Sequence, residues 1–181
     1  MNDLIEARRE LSVIQIPDGT ALVVPAGTRG YVMQVLGGNF TVRLDTGHLV
    51  RVAGADAEAI GKTPPAASEA VASAHAEDLE EQVWAQLKTC FDPEIPVNIV
   101  DLGLIYGLAV KDDDAGPGKV VEVTMTLTAP GCGMGQVLKD DVEAKVRGLE
   151  GVSQAKVELT FDPPWSPDKM TEEAQLELGF Y

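Results

Sequence analysis

The side chain best suited to chemistry is the thiol of Cys132, which lies between Gly131 and Gly133. An alternating apolar run predicts a strand before it, and an apolar stripe at helical spacing predicts a helix after it. Backbone N–H groups at the start of a helix favour a thiolate, which can ligate a soft metal or an iron–sulfur cluster or act as a nucleophile. The flanking glycines leave room for a second molecule to approach the sulfur. The alternative is that Cys132 packs as a small apolar residue at a strand–helix turn.

Three carboxylates lie on neighbouring loops. Asp92 and Glu94 belong to a loop bounded by Pro93 and Pro96, and Asp101 stands at the start of a predicted strand. If these loops converge on the turn that carries the cysteine, the acids share its cleft, where they could supply oxygen ligands or tune the thiol. The alternative is that they cap helix ends and stabilise turns.

One thiolate does not complete a cluster site, because an iron–sulfur cluster is usually held by four ligands. The second cysteine, Cys90, continues the apolar stripe of a predicted helix and is expected in the core. The remaining ligands of any cluster on Cys132 would therefore come from a second copy of the chain, a partner protein or a small thiol.

Several other kinds of site are excluded because the sequence lacks the residues or motifs that they require. The two histidines, His48 and His75, precede the segment that holds the cysteines, so no Ser-His-Asp set can form there. The sequence contains no GxxxxGK[ST] or GxGxxG phosphate loop and no CxxC pair for structural zinc.

The charge and hydropathy of the chain limit the binding partners and the cellular compartment that we expect. The net charge is −15, and residues 77–181 hold 21 Asp or Glu against 8 Lys or Arg, so we expect no nucleic acid partner. No apolar run approaches the roughly 18 residues that span a bilayer, and the acidic N-terminus lacks the apolar region of a signal peptide. We therefore expect a cytoplasmic protein without membrane contact.

The elements that position Cys132 lie in residues 77–181. Periodicity predicts a helix beginning near Leu79, a strand within 100–111, a strand over 121–127, a helix over 134–149 and a strand over 157–161. Thr171 is expected to cap a last short helix. This α-β-β-α-β order predicts a compact two-layer α+β domain.

Residues 1–60 have a different character and predict a small all-β module, either an SH3-like barrel or a curled sheet. Five short β-rich runs alternate with Gly and Pro, and the hairpin signal is clearest around Gly37-Gly38-Asn39. Residues 1–10 are expected to form a polar arm or helix, and a helical turn is expected near 55–60. The Ala- and Pro-rich residues 61–76 predict a linker.

Four ordered motifs in residues 77–181 resemble the metal–sulfur cluster biosynthesis domain, which is shared by SufT-type assembly proteins, PaaD-type proteins and eukaryotic cytosolic iron–sulfur targeting factors. The motifs are Asp92-Pro-Glu-Ile-Pro96, Asp101-Leu-Gly-Leu-Ile-Tyr106, Thr126-Leu-Thr-Ala-Pro-Gly-Cys132 and Asp162-Pro-Pro-Trp-Ser166. The preceding β-rich segment and the C-terminal ending are most similar to the SufT type. The resemblance implies that Cys132 is the reactive cysteine of the family and that Asp92, Glu94 and Asp101 are its acidic motif positions.

The resemblance also implies a function: an accessory or carrier factor that helps to mature iron–sulfur proteins without catalysis. The cofactor would be a transient iron–sulfur cluster or iron, and the partners would be the assembly machinery, client apo-proteins and a second copy of the chain. Two alternatives remain open from the residues themselves. One is a thiol-dependent enzyme with Cys132 as nucleophile, and the other is a pure adaptor in which Cys132 is structural.

Overall fold

The computed structural model describes residues 3–65, 78–92 and 94–180. The chain divides into two compact units, residues 1–69 and residues 70–181. Most of the predicted linker, with His75, lies outside the described residues. No helix in the described part of the chain is long and apolar enough to cross a membrane.

The first unit is a six-stranded antiparallel sheet. The strands are β1 Asp3–Glu6, β2 Leu11–Gln15, β3 Ala21–Val24, β4 Arg29–Leu36, β5 Asn39–Leu44 and β6 Leu49–Val52, and a 3₁₀ helix follows at Gly54–Ile60. Their order in the sheet is β1-β4-β5-β6-β2-β3. One face of the sheet packs on a buried core with the 3₁₀ helix, formed by Ile5, Ala7, Leu11, Val13, Val24, Phe40, Val42, Leu44, Val50, Val52, Ala57, Ala59 and Ile60.

The five predicted strands of this unit are confirmed as β2 to β6, each shifted by at most about one residue. The hairpin is formed by β4 and β5, and its turn residues Gly37 and Gly38 have φ of 56° and 78°, a conformation that glycine adopts without strain. The expected polar arm or helix at 1–10 is wrong, because Asp3–Glu6 pairs with β4 along its whole length. Of the two predicted shapes, the described pairings correspond to a sheet with β1 and β3 at its edges.

The second unit has the predicted α-β-β-α-β order. Its elements are α1 Leu79–Leu87, β7 Ile105–Asp112, β8 Lys119–Met125, α2 Gly135–Arg147, β9 Val152–Leu159, a 3₁₀ helix Pro167–Lys169 and α3 Glu172–Leu178. The sheet order is β7-β8-β9, antiparallel between β7 and β8 and parallel between β8 and β9. A parallel pair needs a crossover, and α2 provides it. The turn that carries Cys132 is therefore the connection from the middle strand into the crossover helix.

Two helices of this unit begin at a residue whose side chain caps the first turn. Asp78 accepts a hydrogen bond from the Glu80 N–H at the start of α1. Thr171 accepts one from the Ala174 N–H at the start of α3, as predicted. The α1, α2 and sheet faces meet in one core that contains Cys90, which has no exposed surface, so its predicted core position is confirmed.

Three predicted strand bounds in this unit are too generous. The strand predicted over 121–127 ends at Met125. The strand predicted within 100–111 begins only at Ile105, because residues 99–103 form turns and Gly103 has a φ of +70°. The last strand ends at Leu159, and Phe161 beyond it is exposed. Before β7 and after β9, the residues expected in strands belong instead to loops, and these two loops contact each other.

Candidate functional site

Cys132 lies on the turn between β8 and α2, three residues before the first residue of the helix. Its side chain is half-buried and packs in part against the core, while Gly131 and Gly133 on either side are exposed. Gly131 has a φ of +79°, and a Cβ there would meet no heavy atom within 4 Å. The predicted place of the thiol between strand and helix is therefore the observed one, and the space beside it is open.

The start of α2 is uncapped by any side chain. Met134 occupies the N-cap position in a helical conformation and makes no side-chain cap hydrogen bond, while the Gly135 N–H donates to the Cys132 carbonyl at 3.0 Å. The unpaired N–H groups of a first helical turn carry partial positive charge that favours an anion beside them. Cys132 lies three residues before this turn.

Gly135 brings the helix close to the end of the strand. A Cβ on Gly135 would overlap the Leu127 side chain, so only glycine lets the first turn of α2 pack against this leucine without rearrangement. Both residues are buried. The close packing defines where the intervening turn, including Cys132, leaves the sheet.

Asp92 is the one predicted site carboxylate that is deeply buried, with 6% of its surface exposed. It accepts a hydrogen bond from the Glu94 N–H at 2.9 Å. Burial raises the pKa of the Asp92 carboxyl above its ordinary value, and the negative charge of Glu94 acts in the same direction while the backbone hydrogen bond opposes it. Glu94 itself is exposed. This geometry matches the turn-forming alternative for Asp92.

Asp101 joins its loop to the C-terminal part of the unit. Its carboxylate accepts from Asn98 Nδ2 at 2.6 Å, and its carbonyl accepts from the Thr171 N–H at 2.9 Å. The Asn98 side chain in turn accepts from the N–H groups of Val100 and Asp101, both at 3.0 Å. Asp101 therefore has a structural role in shaping the loop that precedes β7.

The described part of the chain contains no group of three or more His, Cys, Asp or Glu side chains arranged to hold a metal ion. Cys132, Asp92, Glu94 and Asp101 are thus not brought together as a complete ligand set within one chain. That Cys132 supplies one ligand of a cluster and that the others come from outside the chain stays a prediction.

The burial of Thr126 was not predicted from the sequence. Its hydroxyl has no hydrogen-bond partner among the described residues, and the side chain has no exposed surface. The alternation of β8 places Thr126 on the same side as Glu122 and Thr124, which predicts exposure, but the strand ends at Met125. The Thr126 N–H donates instead to the Leu104 carbonyl at 2.8 Å.

A loop at residues 163–171, which we call the strap, holds the segment 101–106. Trp165 Nε1 donates to the Leu102 carbonyl at 2.8 Å, and the Tyr106 hydroxyl donates to the Pro163 carbonyl at 2.9 Å. The ammonium of Lys169 lies 4.9 Å from the centre of the Tyr106 ring, a cation–π contact. Trp165 is half-buried, and its bonded indole packs against the core of the unit.

Comparison with known proteins gives the family. A family model described as "Iron-sulfur cluster assembly protein" matches residues 80–159. The chain is 50% identical over 101 residues to a protein of Porphyromonas gingivalis named "Fe-S protein maturation auxiliary factor", a match that covers 56% of this chain and 91% of that one.

Two further relatives carry similar names. YitW of Bacillus subtilis, an Fe-S protein maturation auxiliary factor, is 35% identical over 103 residues, which is 57% of this chain and 96% of the relative. SufT of Staphylococcus aureus, an Fe-S protein maturation auxiliary factor, is 39% identical over 88 residues, which is 49% of this chain and 94% of the relative. These matches confirm the resemblance seen in the four motifs. The chain belongs to the SufT-type family of iron–sulfur cluster assembly proteins.

Proposed function

We propose that this chain is an accessory factor of iron–sulfur protein maturation that holds a cluster, or the iron destined for one, transiently through Cys132. The observation that carries the proposal is the contrast between the two cysteines: Cys132 is half-exposed on an open turn, while Cys90 has no exposed surface. The family relationship supplies the kind of cargo.

The ligand count supports transient rather than stable binding of the cluster. A cluster usually takes four ligands, and the described residues offer no group of three potential ligands in one place. A second copy of the chain would add a second Cys132, and small thiols or a client would complete the set. We infer that such a shared cluster is released when the partner offers better ligands, which suits transfer between proteins.

The assembly machinery and apo-proteins are the proposed partners, and the cytoplasm is the proposed compartment. We also propose that the chain is not an enzyme. A thiol nucleophile is normally activated by an adjacent base, and residues 78–181 contain no histidine. Exchange of ligands at Cys132 needs no such base, because the thiolate itself is the ligand.

Anaerobic reconstitution with iron and sulfide tests this proposal. Native mass spectrometry and visible absorption would measure iron per chain and oligomeric state for the wild type, Cys132→Ala and the matched control Cys90→Ala. We expect a cluster shared between chains in the wild type and in Cys90→Ala, and none in Cys132→Ala. A monomer that binds a full cluster after Cys132→Ala would refute the proposal.

The same samples distinguish the two alternatives. A thiol-dependent enzyme would form a covalent adduct at Cys132 that accumulates and then decays on mixing with its substrate, without iron. A pure adaptor would bind no iron in any of the three forms, and Cys132→Ala would leave its partner binding unchanged.

A further inference from the structure

The sheet of the first unit has one face buried and one exposed. Alternation along the strands places the core residues inward and a second set outward, and the burial pattern follows this division on β1, β2, β5 and β6. The second set forms what we call the outer face: Leu4, Glu6, Ser12, Ile14, Ala21, Val23, Arg29, Tyr31, Thr41, Arg43, Leu49 and Arg51.

A row of three apolar side chains and one arginine crosses the outer face. The register pairs Leu4 with Tyr31, Tyr31 with Arg43, and Arg43 with Leu49, so these four side chains stand side by side on four adjacent strands. At about 4.8 Å between strands the row is about 14 Å long. Leu4 is 57% exposed and Tyr31 is 40% exposed. Single exposed apolar residues are ordinary, whereas an exposed Tyr and Leu side by side next to an arginine are typical of an interaction surface.

The outer face also has an unusual charge. It carries Arg29, Arg43 and Arg51 against one acid, Glu6, and that acid already bonds Arg29 at 3.0 Å. Among the described residues Arg43 makes no ion pair or hydrogen bond, although it is exposed in the middle of the row. Residues 1–76 hold 6 Lys or Arg against 8 Asp or Glu, so the composition of this part of the chain does not predict an excess of arginine on one face.

We propose that the outer face is a docking surface for an acidic protein segment that also carries apolar side chains. Tyr and Arg are the residue types enriched at the centres of protein interfaces, whereas Lys, Asp and Glu are depleted there. Tyr31 and Leu4 would contact apolar groups of the partner, and Arg43 would pair with its carboxylates. The charge of Arg43 disfavours a basic partner at this face, although the acidic second unit attracts one.

This proposal gives the first unit a role of its own, independent of the thiol on the second unit. The first unit would recruit a partner through its sheet, while Cys132 exchanges metal. The docking surface and the cluster-binding role of Cys132 can therefore be tested, and refuted, independently of each other.

Selection from a display library of random 12-residue peptides on the full chain tests the docking surface. An acidic chain enriches basic peptides non-specifically, so enrichment of acidic peptides with apolar residues is a stringent expectation. Affinities of synthetic copies would then be measured for four forms: wild type, Arg43→Glu, Tyr31→Ser and the control Lys88→Glu. Lys88 is an exposed lysine next to α1 in the second unit, so its replacement makes the same change of net charge away from the face.

We expect Arg43→Glu to weaken binding about tenfold or more, because an interfacial charge is reversed. Tyr31→Ser should weaken it several-fold, while Lys88→Glu should leave it within about twofold. Amide NMR spectra of each variant establish that it is folded. A library that yields no binders, or only basic ones, or binders indifferent to Arg43→Glu would overturn the proposal.

Two control measurements test whether the outer face binds a second copy of the chain or a lipid surface instead. Sedimentation of the chain alone reports self-association, and vesicles of anionic lipid report membrane binding. If Arg43→Glu abolishes a dimer or vesicle binding, the face belongs to a second copy or to a lipid surface, and the proposal of an acidic protein segment is wrong. The proposal is supported if Arg43→Glu changes neither self-association nor vesicle binding and if the selected acidic peptides depend on Arg43.

Discussion

Replacing Gly103 with alanine should destabilise the second unit strongly. Gly103 has a φ of +70°, and a Cβ there would lie 2.6 Å from the carbonyl carbon of Lys169 in the strap. The obstacle is backbone, so no change of rotamer relieves the overlap. The alanine chain must therefore move away from the strap or adopt another φ.

The expected loss of stability follows from the contacts at stake. A left-handed conformation costs an alanine about 1–2 kcal/mol. Separation of the two loops would also break the hydrogen bonds from Trp165 Nε1 to Leu102 and from the Thr171 N–H to Asp101, each worth about 1 kcal/mol. The sum is about 3–4 kcal/mol, a large part of the about 5–15 kcal/mol that stabilises a typical domain.

Urea unfolding followed by tryptophan fluorescence measures this loss directly. Both tryptophans, Trp84 and Trp165, lie in the second unit, so the signal reports on that unit alone. Gly107→Ala is the matched control, because Gly107 lacks a positive φ and its Cβ would meet Thr124 at an ordinary 3.7 Å. We expect the control to change stability by less than about 1 kcal/mol. A Gly103→Ala protein as stable as this control would refute the assigned role of the strap.

Four further outcomes are expected. Native Cys132 should react with iodoacetamide while Cys90, which has no exposed surface, reacts only after unfolding; peptide mass spectrometry of the labelled chain checks this, and equal labelling would contradict it. Thr126→Val should stabilise the protein by about 1 kcal/mol, since it removes a buried hydroxyl without a described partner; a lower urea midpoint would show that the hydroxyl is bonded. Because its pKa is raised in the folded protein, Asp92 favours the folded state at low pH, and that contribution is lost as the pH rises through the raised pKa. Asp92→Asn should therefore lack this fall in the urea midpoint, and parallel pH profiles would exclude the effect. Limited proteolysis should cut first within residues 60–76 and leave a folded C-terminal fragment, whereas a first cut within 120–128 would contradict separable units.

The sequence predicts the surroundings of Cys132 well, because local patterns determine them. Alternation over 121–125 gives β8, a stripe at helical spacing gives α2, and the glycines between them require the turn. Strand β1 could not be predicted in this way. Four residues are too few for a periodic signal, and their extended conformation depends on pairing with β4, more than twenty residues later.

The roles of the site carboxylates depend on contacts that the sequence does not contain. Asp101 is tied to Thr171, and Trp165 to a carbonyl 63 residues earlier, so their structural roles appear only when the loops are placed in space. Burial of Thr126 was missed because alternation no longer applies once the strand has ended.

The position of β8 as the middle strand has a consequence for hydrogen exchange. Its amides face partners on both sides, in β7 and β9, so they should exchange with solvent only when the whole unit unfolds. Among the described residues the amides of Cys132 and Gly133, seven and eight positions beyond the strand, donate no hydrogen bond. They should exchange orders of magnitude faster. Slowly and rapidly exchanging amides would then lie within a dozen residues of one another. The turn could rearrange around a bound metal while the strand that precedes it keeps its hydrogen bonds.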